Sequence, residues 1–497
     1  MGDSNNRNLN EDMRTSISEE ERLRRRAYAR KMRNKRRRRR ALLMRALLLL
    51  VGLAILAGGI VTVSSKVKEA KAKKEAERAY QEQLIREEEL RHQKKKEMIA
   101  TAEQMALTYD YEGAIAYLKT IEDYKKDGTV LAKIAELEAK KSTMSAVYMD
   151  EVTHIFFHSL IVDTDLAFQG SGATTTAMKQ WMTTIDEFKA TIQHMYDNGY
   201  VLVSIYDLVK QKENENGEIE FSTNTIYLPE GKSPYVLSVD DVCYYHSYED
   251  RGIASKLILD ENGKITNVYK QQDGTILTGE YDCITILDKF IEEHPDASYK
   301  GAKGTIGLTG YNGILGYRTD IAYKTGENLD ADQKEWLAAN PGFNWEVERA
   351  EAKAVADALK ANGWTFASNT WGKIAVGSAS LERLKADTEK WKEYVEPLVG
   401  ATDIISFSRG QDIGTWRYYS DSNEKFTYLK SQGFNFFCNV DASQYFMQIR
   451  KNYVRQGRRS IDGYRLWSDV YGSKNRTSDL FDATQILDKK RTDMPGV

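Results

Sequence analysis

The period of the hydrophobic pattern changes once along the chain, at about residue 149. Before that point, apolar residues recur three and four positions apart in "MIATAEQMALTYDYEGAIAYLKTI", and the break at "YDYEG" separates two amphipathic segments. This spacing predicts one or two helix-turn-helix pairs, which need neighbouring structure to bury their apolar face. After that point, short apolar runs alternate with longer amphipathic segments, which is typical of parallel strands joined by crossover helices.

Seven apolar runs after residue 149 are predicted to be strands, and the amphipathic segments between them are predicted to be helices. In the first of these helices, Trp181, Phe188 and Met195 share one face, and Gly199 marks the end. The series predicts an α/β fold, a closed or distorted (β/α) barrel. The predicted strands are "THIFFHSLIV", "VLVSIYDLV", "SPYVLSVDDV", "GTIGLTG", "TFASN", "DIISFS" and "NFFCNVDA".

Two polar stretches interrupt the alternation. The first contains the pair Asn216-Gly217, and the second contains the pairs at 262–263 (Asn-Gly) and 273–274 (Asp-Gly), each between strand-like runs. Such pairs favour the tight turns of β-hairpins, because the central residues of these turns take positive φ. We therefore expect hairpins that decorate the barrel without extending it.

The N-terminal region combines a basic run with an apolar one. Residues 22–45 are rich in Arg and Lys, and residues 46–63 carry no charge. An apolar run of about this length crosses a bilayer as a helix, and the positive-inside rule keeps the basic side in the cytoplasm. The sequence predicts a basic cytoplasmic tail over residues 1–40, a transmembrane helix over 41–65 and an extracellular remainder. A cleaved signal peptide is the alternative, which the long basic segment and the lack of a small-residue cleavage site disfavour.

The basic run also bears on binding partners. Beside a membrane span, it is expected to contact anionic lipid head groups. Nucleic acid is the alternative partner of such a run. We expect no nucleic acid, because the run abuts the apolar segment and no folded nucleic-acid module accompanies it.

The rest of the chain divides by composition. Residues 66–96 are rich in Lys, Glu, Ala and Arg, which predicts a solvated helical stalk. The stalk and the helix-turn-helix spacer together cover residues 66–148. The predicted main domain covers residues 149–480, and a C-terminal tail covers residues 481–497. A chain of 497 residues with 41% hydrophobic side chains is long enough for one large domain with these attachments.

Charge and cysteine content narrow the picture further. The formal net charge of −2 conceals the basic N-terminal run, so the remainder of the chain is acidic on balance. Cys243, Cys283 and Cys438 are the three cysteines. Their odd, low number argues against a disulfide scaffold, and their spacing matches no zinc-binding pattern. We expect all three to be buried apolar residues.

An acidic pair ends one of the predicted strands. Asp240 and Asp241 follow the apolar run in "SPYVLSVDDV". In an α/β barrel the active site lies at the carboxyl ends of the strands. Buried carboxylates are costly there unless they bind a metal, pair with a cation or cap a helix. The pair is therefore the first candidate for chemistry.

Residues from about 149 to 480 resemble the polysaccharide deacetylase family (carbohydrate esterase family four), in a membrane-anchored branch. The resemblance implies hydrolysis of acetyl groups on N-acetylated sugars by a divalent metal, usually zinc, that polarises the acetyl carbonyl and activates water. The segments that carry the resemblance occur in family order. They are "FHSLI", "GYVLVSIYDL", "LSVDDV", "GYRTD", "GWTFASNTWG", "DIISFSRGQDIG", "FFCNVDAS" and "NYVRQGRRSIDGYRL".

The resemblance assigns roles to the acidic pair and exposes a departure from the family. Asp240 is implied to be the general base, and Asp241 the first metal ligand. The two histidine ligands of the family, in an H-x-x-x-H motif, fall on Asn369 and Lys373 in "NTWGK", where a strand is predicted to enter a helix. On a helix, this spacing places both side chains on one face. An Asn offers zinc only a weak amide oxygen, and we expect the Lys373 ammonium to pair with Asp241 in the metal's place.

Other residues are candidate contacts for a substrate. Arg318 in "GYRTD" is able to hold a carboxylate of the site or of an acidic sugar, and a structural salt bridge is the alternative. By the resemblance, Arg409 in "FSRGQD" lies near the base, and Trp371 is a surface on which a sugar can stack, with packing as the alternative. No histidine occurs after residue 294 to replace the lost ligands. His154, His158 and His246 are expected in the core or at the rim of the barrel, and His246, five residues after the acidic pair, is also able to approach it.

Two classes of function fit these observations. The first is an extracellular enzyme, or former enzyme, that hydrolyses the carbon–nitrogen bond of N-acetylated cell-envelope polysaccharide. The second is a catalytically inactive domain that binds such a glycan or acts as a scaffold. A weaker third hypothesis is metal-independent ester hydrolysis by Asp240 and Lys373. Metal content of the protein discriminates best between the first two.

Overall fold

The computed structural model describes residues 62–496, together with residues 32, 35, 40 and 42–49. The predicted membrane span over residues 41–65 therefore lies mostly outside the described residues. Within the described helices, none is both long enough and apolar enough to cross a bilayer.

A single helix, Thr62–Leu107, covers the predicted stalk and continues beyond it. The chain separates into two units at residues 96 and 97, and the second unit contains the end of this helix and everything after it. The predicted break at "YDYEG" is confirmed, because the helix ends at Leu107 and the next begins at Tyr111.

Two more helices, Tyr111–Leu118 and Gly128–Ser142, complete the predicted helix-turn-helix unit. Leu118, Val130 and Ile134 lie in a small core of their own. The helix-turn-helix pair also contacts the barrel domain that follows it. The Tyr109 hydroxyl donates to the Asp296 carbonyl at 2.9 Å, and the Lys300 amide donates to the Thr108 carbonyl at 2.7 Å.

Seven parallel strands close into a barrel, as the sequence pattern predicts. Each strand pairs with the next along the chain, and the last pairs with the first, so the closed path has no edge. We number them in chain order as β1 (Thr153–Phe157), β2 (Ser233–Val239), β3 (Thr305–Leu308), β4 (Thr365–Ser368), β5 (Ile404–Ser406), β6 (Phe436–Val440) and β7 (Tyr453–Ser460).

One barrel strand differs from the prediction. The run "VLVSIYDLV" forms only the short strand Tyr200–Leu202, which pairs with the start of β2 outside the closed path. The barrel closes instead with β7, whose sequence "YVRQGRRS" has little apolar character. The three arginines of β7 are buried because each has an acidic partner: Arg455 with Asp412, Arg458 with Asp240 and Arg459 with Asp479.

Crossover helices cover most of the barrel wall. The connection between β6 and β7 is an exception, because it contains the strand Met447–Arg450, antiparallel to β7, in place of a helix. The principal helices of this wall are Ile185–Asp197, Cys283–Glu293, Trp345–Ala361, Leu381–Tyr394, Glu424–Ser431 and Gly463–Tyr471. Shorter helices are Thr164–Ala167, Ala173–Trp181, Ile321–Thr325, Ala331–Ala339, Glu396–Val399 and Ala483–Ile486.

The first predicted helix is broken in two. The helix Ala173–Trp181 ends before Thr184, which starts the next helix with a capping box that includes Glu187. Phe188 is buried as expected, whereas Trp181 is 49% exposed. The cap at Thr184 therefore moves Trp181 off the apolar face that the sequence pattern assigned to it.

The predicted hairpins are confirmed. Val209–Glu213 pairs with Ile219–Thr223, and the second polar stretch folds into three antiparallel strands, Lys256–Leu259, Ile265–Lys270 and Ile276–Gly279. The turn glycines at 217, 263 and 274 all have positive φ. A further two-stranded ribbon, Ser145–Tyr148 with Thr225–Leu228, was not predicted.

The core continues into the C-terminal residues. Phe481 and Ile486 are buried in the main hydrophobic cluster, and Arg491 forms a buried ion pair with Glu187 at 2.6 Å. The three cysteines are buried and free, as predicted.

Candidate functional site

The acidic pair lies at the carboxyl end of β2. The Asp240 amide donates to the Phe157 carbonyl of β1 at 2.8 Å, which extends the strand pairing to this residue. Asp241 has φ of 58°, a left-handed conformation that turns the chain out of the sheet. Asp240 is 5% exposed and Asp241 is 8% exposed. Both carboxylates therefore need partners, because burial of an unpaired charge is costly.

Arg458 of β7 is the partner of Asp240. Arg458 Nη1 lies 2.6 Å from Asp240 Oδ1, Nη2 lies 3.0 Å from Oδ2, and Nη1 also donates to Ser238 Oγ at 3.2 Å. Burial raises the pKa of Asp240, but the charge and hydrogen bonds of Arg458 outweigh it, so the pKa lies below its usual value. Asp240 is therefore held as a carboxylate.

A buried histidine, His154, lies next to the ion pair between Asp240 and Arg458. His154 contacts Gln456 Oε1 at 2.9 Å through Nδ1 and Ser238 Oγ at 3.0 Å through Nε2. Burial, together with the charge of Arg458, lowers the pKa of His154 to about 3. It is a neutral core histidine that orders the groups beneath Asp240.

Lys373 forms the predicted ion pair with Asp241. The Nζ atom of Lys373 contacts Asp241 Oδ2, and His158 Nε2 lies 4.0 Å from the same oxygen. Burial alone would lower the pKa of Lys373, but the charge and hydrogen bond of Asp241 outweigh that effect and raise the pKa. The Lys373 side chain is 38% exposed, so this cation reaches the site from the solvent side.

The segment that carries Lys373 is a turn, and the prediction that a helix starts here is wrong. Thr370 and Lys373 have φ of 61° and 51°. The Asp387 carboxylate accepts hydrogen bonds from the Trp371 and Gly372 amides at 2.6 and 2.8 Å. These bonds stabilise the turn. The expectation that two side chains four positions apart share a helical face therefore does not apply.

Asn369 is engaged within the protein. The Ser408 hydroxyl donates to the Asn369 side-chain oxygen and to its carbonyl. A hydrogen bond from the Asn369 side chain also helps lower the pKa of Asp240. At 1% exposure, Asn369 is a buried link between the ends of β2 and β5.

These contacts test whether the site suits the zinc ion that the family resemblance implies. Asp241 is bound to an ammonium group, and the side-chain oxygen of Asn369 is bound to Ser408. In the described part of the chain, no three or more His, Cys, Asp or Glu side chains converge as metal ligands. A zinc site needs about three such ligands and an open position. The donor set therefore does not fit the ion.

The predicted substrate contacts are placed differently from one another. Arg318 is buried and donates to the Tyr244 carbonyl at 2.9 Å and to Glu249 at 3.2 Å, so it holds the loop that follows the acidic pair. Trp371 is half-buried in the turn beside Lys373. Arg409 is exposed in the turn after β5, next to Ser408. Contact of these three residues with a substrate stays a prediction.

His246 points to a different partner. Its Nε2 lies 3.0 Å from Asp332 Oδ2. Its ring centroid lies 6.3 Å from that of Trp336. His158, 4.0 Å from Asp241 Oδ2, approaches the acidic pair from the end of β1 instead.

Arg458 was not predicted to be a residue of the site. Arg458 lies in "NYVRQGRRSIDGYRL", a segment that contributed only to the family resemblance. The alternation of side chains along β7 places Gln456 and Arg458 on the same side of this strand. His158 was expected in the core or at the rim, and the structure places it directly after β1, with its Nε2 4.0 Å from Asp241 Oδ2.

Comparisons with known proteins add little. No family model and no curated protein matches the chain. Among solved structures, the chain is similar to the Streptococcus pyogenes deacetylase PplD in complex with acetate. The sequences are 12% identical, and the match covers 64% of this chain and 94% of that chain with a TM-score of 0.32. A likeness this distant carries no argument about activity.

Proposed function

We propose that this chain is a membrane-anchored extracellular protein with a polysaccharide deacetylase-like barrel, and that its barrel mouth binds N-acetylated cell-envelope glycan without metal-dependent hydrolysis. The observation that carries the proposal is the neutralisation of both acids of the candidate site. Asp240 pairs with Arg458, and Asp241 pairs with Lys373. The chain itself thus supplies the positive charge that the resemblance assigns to a metal.

This arrangement lacks the features of an efficient hydrolase. A general base works best when its pKa lies near the operating pH, whereas the pKa of Asp240 is held below its usual value by Arg458, against the opposing effect of burial. Lys373 occupies one oxygen of Asp241 and repels a dication. At an effective dielectric constant near 20, the repulsion between like charges 4 Å apart is about 4 kcal/mol per unit charge product. This repulsion exceeds the stabilisation that a weak amide oxygen ligand would give the ion.

Binding of a polar ligand is supported by unpaired groups near the mouth. Asp241 Oδ1 and Trp371 Nε1 are buried and have no hydrogen-bond partner among the described residues. Buried polar atoms usually have partners, so such atoms are candidates for ligand or water contacts. The hydroxyl and acetamido groups of a glycan match them, and the half-buried Trp371 ring offers a surface for stacking.

The alternative is retained hydrolytic activity. His158 favours it, because its Nε2 lies 4.0 Å from Asp241 Oδ2 and an imidazole can serve as a general acid or base. In that case Lys373 would stabilise developing negative charge in place of a metal.

One set of measurements on the purified full-length protein decides between them. We expect no stoichiometric zinc after equilibration with the ion, no release of acetate from acetylated chito-oligosaccharides, and binding of these oligosaccharides that is weakened by Trp371→Ala. Stoichiometric zinc would contradict the proposal. Turnover without zinc that is lost in His158→Asn would favour the alternative, and absence of any oligosaccharide binding would refute glycan recognition at the mouth.

The membrane anchor is supported by the uncharged residues 46–63 next to the basic residues 22–45. Anchored in this way, the barrel would face the cell envelope, while the basic tail would contact anionic lipids on the cytoplasmic side.

A further inference from the structure

The barrel wall beside β7 is covered by a loop that the strands hold from beneath. Arg455 of β7 points outward and donates to the carbonyl oxygens of Thr415 and Arg417 at 2.6 and 2.9 Å. Gln448 donates to the Trp416 carbonyl at 2.6 Å. Arg455 also pairs with Asp412, at 2.6 Å. The three successive carbonyl groups of residues 415–417 are therefore held by hydrogen bonds from the buried side chains of Arg455 and Gln448.

Two large aromatic side chains of this loop face the solvent. Trp416 is 74% exposed and Tyr418 is 61% exposed. A guanidinium lies over each ring: Arg417 at 5.6 Å from the Trp416 centroid, and Arg450 at 4.3 Å from the Tyr418 centroid. We call these four residues the flank patch. Neither arginine forms an ion pair with any residue that the structure describes.

The exposed Trp416 and Tyr418 rings contribute little to the stability of the fold, because aromatic side chains stabilise a protein through the surface area that they bury. The loop is also pre-organised, so that a ligand binds it with little loss of conformational entropy in the protein. The flank patch therefore presents two planar apolar surfaces, each with a guanidinium group that has no ion-pair partner among the described residues. Sugar rings stack on such surfaces, and guanidinium groups bind carboxylates in a bidentate fashion.

We propose that the flank patch binds an acidic polysaccharide, with sugar rings on Trp416 and Tyr418 and uronate carboxylates on Arg417 and Arg450. A membrane surface is the other partner that aromatic and basic residues suit, but the patch contains no aliphatic side chain to enter a bilayer. The patch lies on the outward side of β7, opposite to the side from which Arg458 contacts Asp240. It therefore functions whether or not the mouth has activity.

Oxidation of tryptophan provides a test that resolves the site. The full-length protein is treated with a limiting amount of N-bromosuccinimide, with and without polygalacturonate, and oxidation of each indole is measured by mass spectrometry. We expect polygalacturonate to slow oxidation of Trp416 at least fivefold. Trp181, which is 49% exposed and outside the patch, is the internal control and is expected to react at an unchanged rate.

Variants separate patch binding from attraction to the basic N-terminal run, which every variant retains. We expect Arg417→Gln with Arg450→Gln to remove the protection of Trp416. Lys451→Gln, at a neighbouring cation that already has Glu220 as a partner at 3.6 Å, is the matched control and should retain it. Equal oxidation of Trp416 with and without polygalacturonate would overturn the proposal. So would protection by vesicles of anionic phospholipid in the absence of protection by polygalacturonate, which would assign the patch to a membrane surface.

Discussion

Arg458 and Asp240 are 218 residues apart in the chain and form a two-point ion pair inside the barrel, at 2.6 and 3.0 Å. The strands that carry them, β7 and β2, are both neighbours of β1. Lys373 pairs with one oxygen of Asp241 from the turn that follows β4. The charge balance of the mouth thus depends on cations from two other parts of the barrel.

Arg458→Met is expected to destabilise the protein by about 3–5 kcal/mol at pH 7.5, because it leaves the buried Asp240 carboxylate unpaired. In the wild type the folded-state pKa of Asp240 is lowered, so the pair contributes its stability above the unfolded pKa near 3.9 and loses it only as pH falls through the lower folded value. In the variant, burial without Arg458 raises this pKa.

The loss of stability in Arg458→Met is therefore expected to shrink between pH 7.5 and pH 5, as Asp240 takes up a proton. Urea unfolding at the two pH values measures this difference. The double variant with Asp240→Asn serves as the control and should show a loss that does not change over the same range. A single variant whose loss is independent of pH would contradict a buried, unpaired Asp240.

Lys373→Ala is expected to cost about 1–3 kcal/mol, less than a fully buried pair, because the Lys373 side chain is 38% exposed and solvent screens it. The raised pKa of Lys373 means that the pair stabilises the fold below the unfolded pKa near 10.4 and is lost only above the folded value. Lys353→Ala, which breaks the exposed pair with Asp357, is the control and should cost under about 1 kcal/mol. Equal losses in thermal unfolding would place Lys373 in solvent.

Gly307→Ala tests how tightly the site is packed from inside the barrel. A Cβ at this position would lie 2.9 Å from Asp240 Oδ1 and 3.3 Å from Asn369 Nδ2. We expect a loss of about 1–3 kcal/mol from this overpacking, together with weaker oligosaccharide binding. Gly342→Ala, where the added Cβ meets nothing within 4 Å, should change stability by less than about 0.5 kcal/mol. A stable Gly307→Ala protein would mean that the acidic pair can move freely.

The proposed topology predicts that protease added outside intact cells releases the barrel. Residues 71–92 of the long helix are almost all exposed and rich in Lys and Arg, which suits trypsin. The released fragment should begin within this segment, as N-terminal sequencing would establish, while an epitope placed before residue 40 stays protected until the cells are lysed. A protected barrel in intact cells would reverse the proposed orientation.

Local pattern in the sequence was sufficient for much of the fold. Alternation of apolar strands and amphipathic helices predicted the barrel, and Asn-Gly and Asp-Gly pairs predicted the hairpins, because periodicity and turn chemistry act between near neighbours. The position of Asp240 and Asp241 at a strand end was predictable for the same reason, and the charge of Lys373 pointed to its partner once the family motif was aligned.

Tertiary structure alone decided which strand closes the barrel and which cation faces Asp240. The strand β7 has the composition of a surface segment, and it is buried because Asp240, Asp412 and Asp479 come from other parts of the chain to meet its arginines. The turn at residues 369–373 likewise depends on Asp387, from the following helix. Pairing of buried charges is a relation between distant segments, and no local periodicity records it.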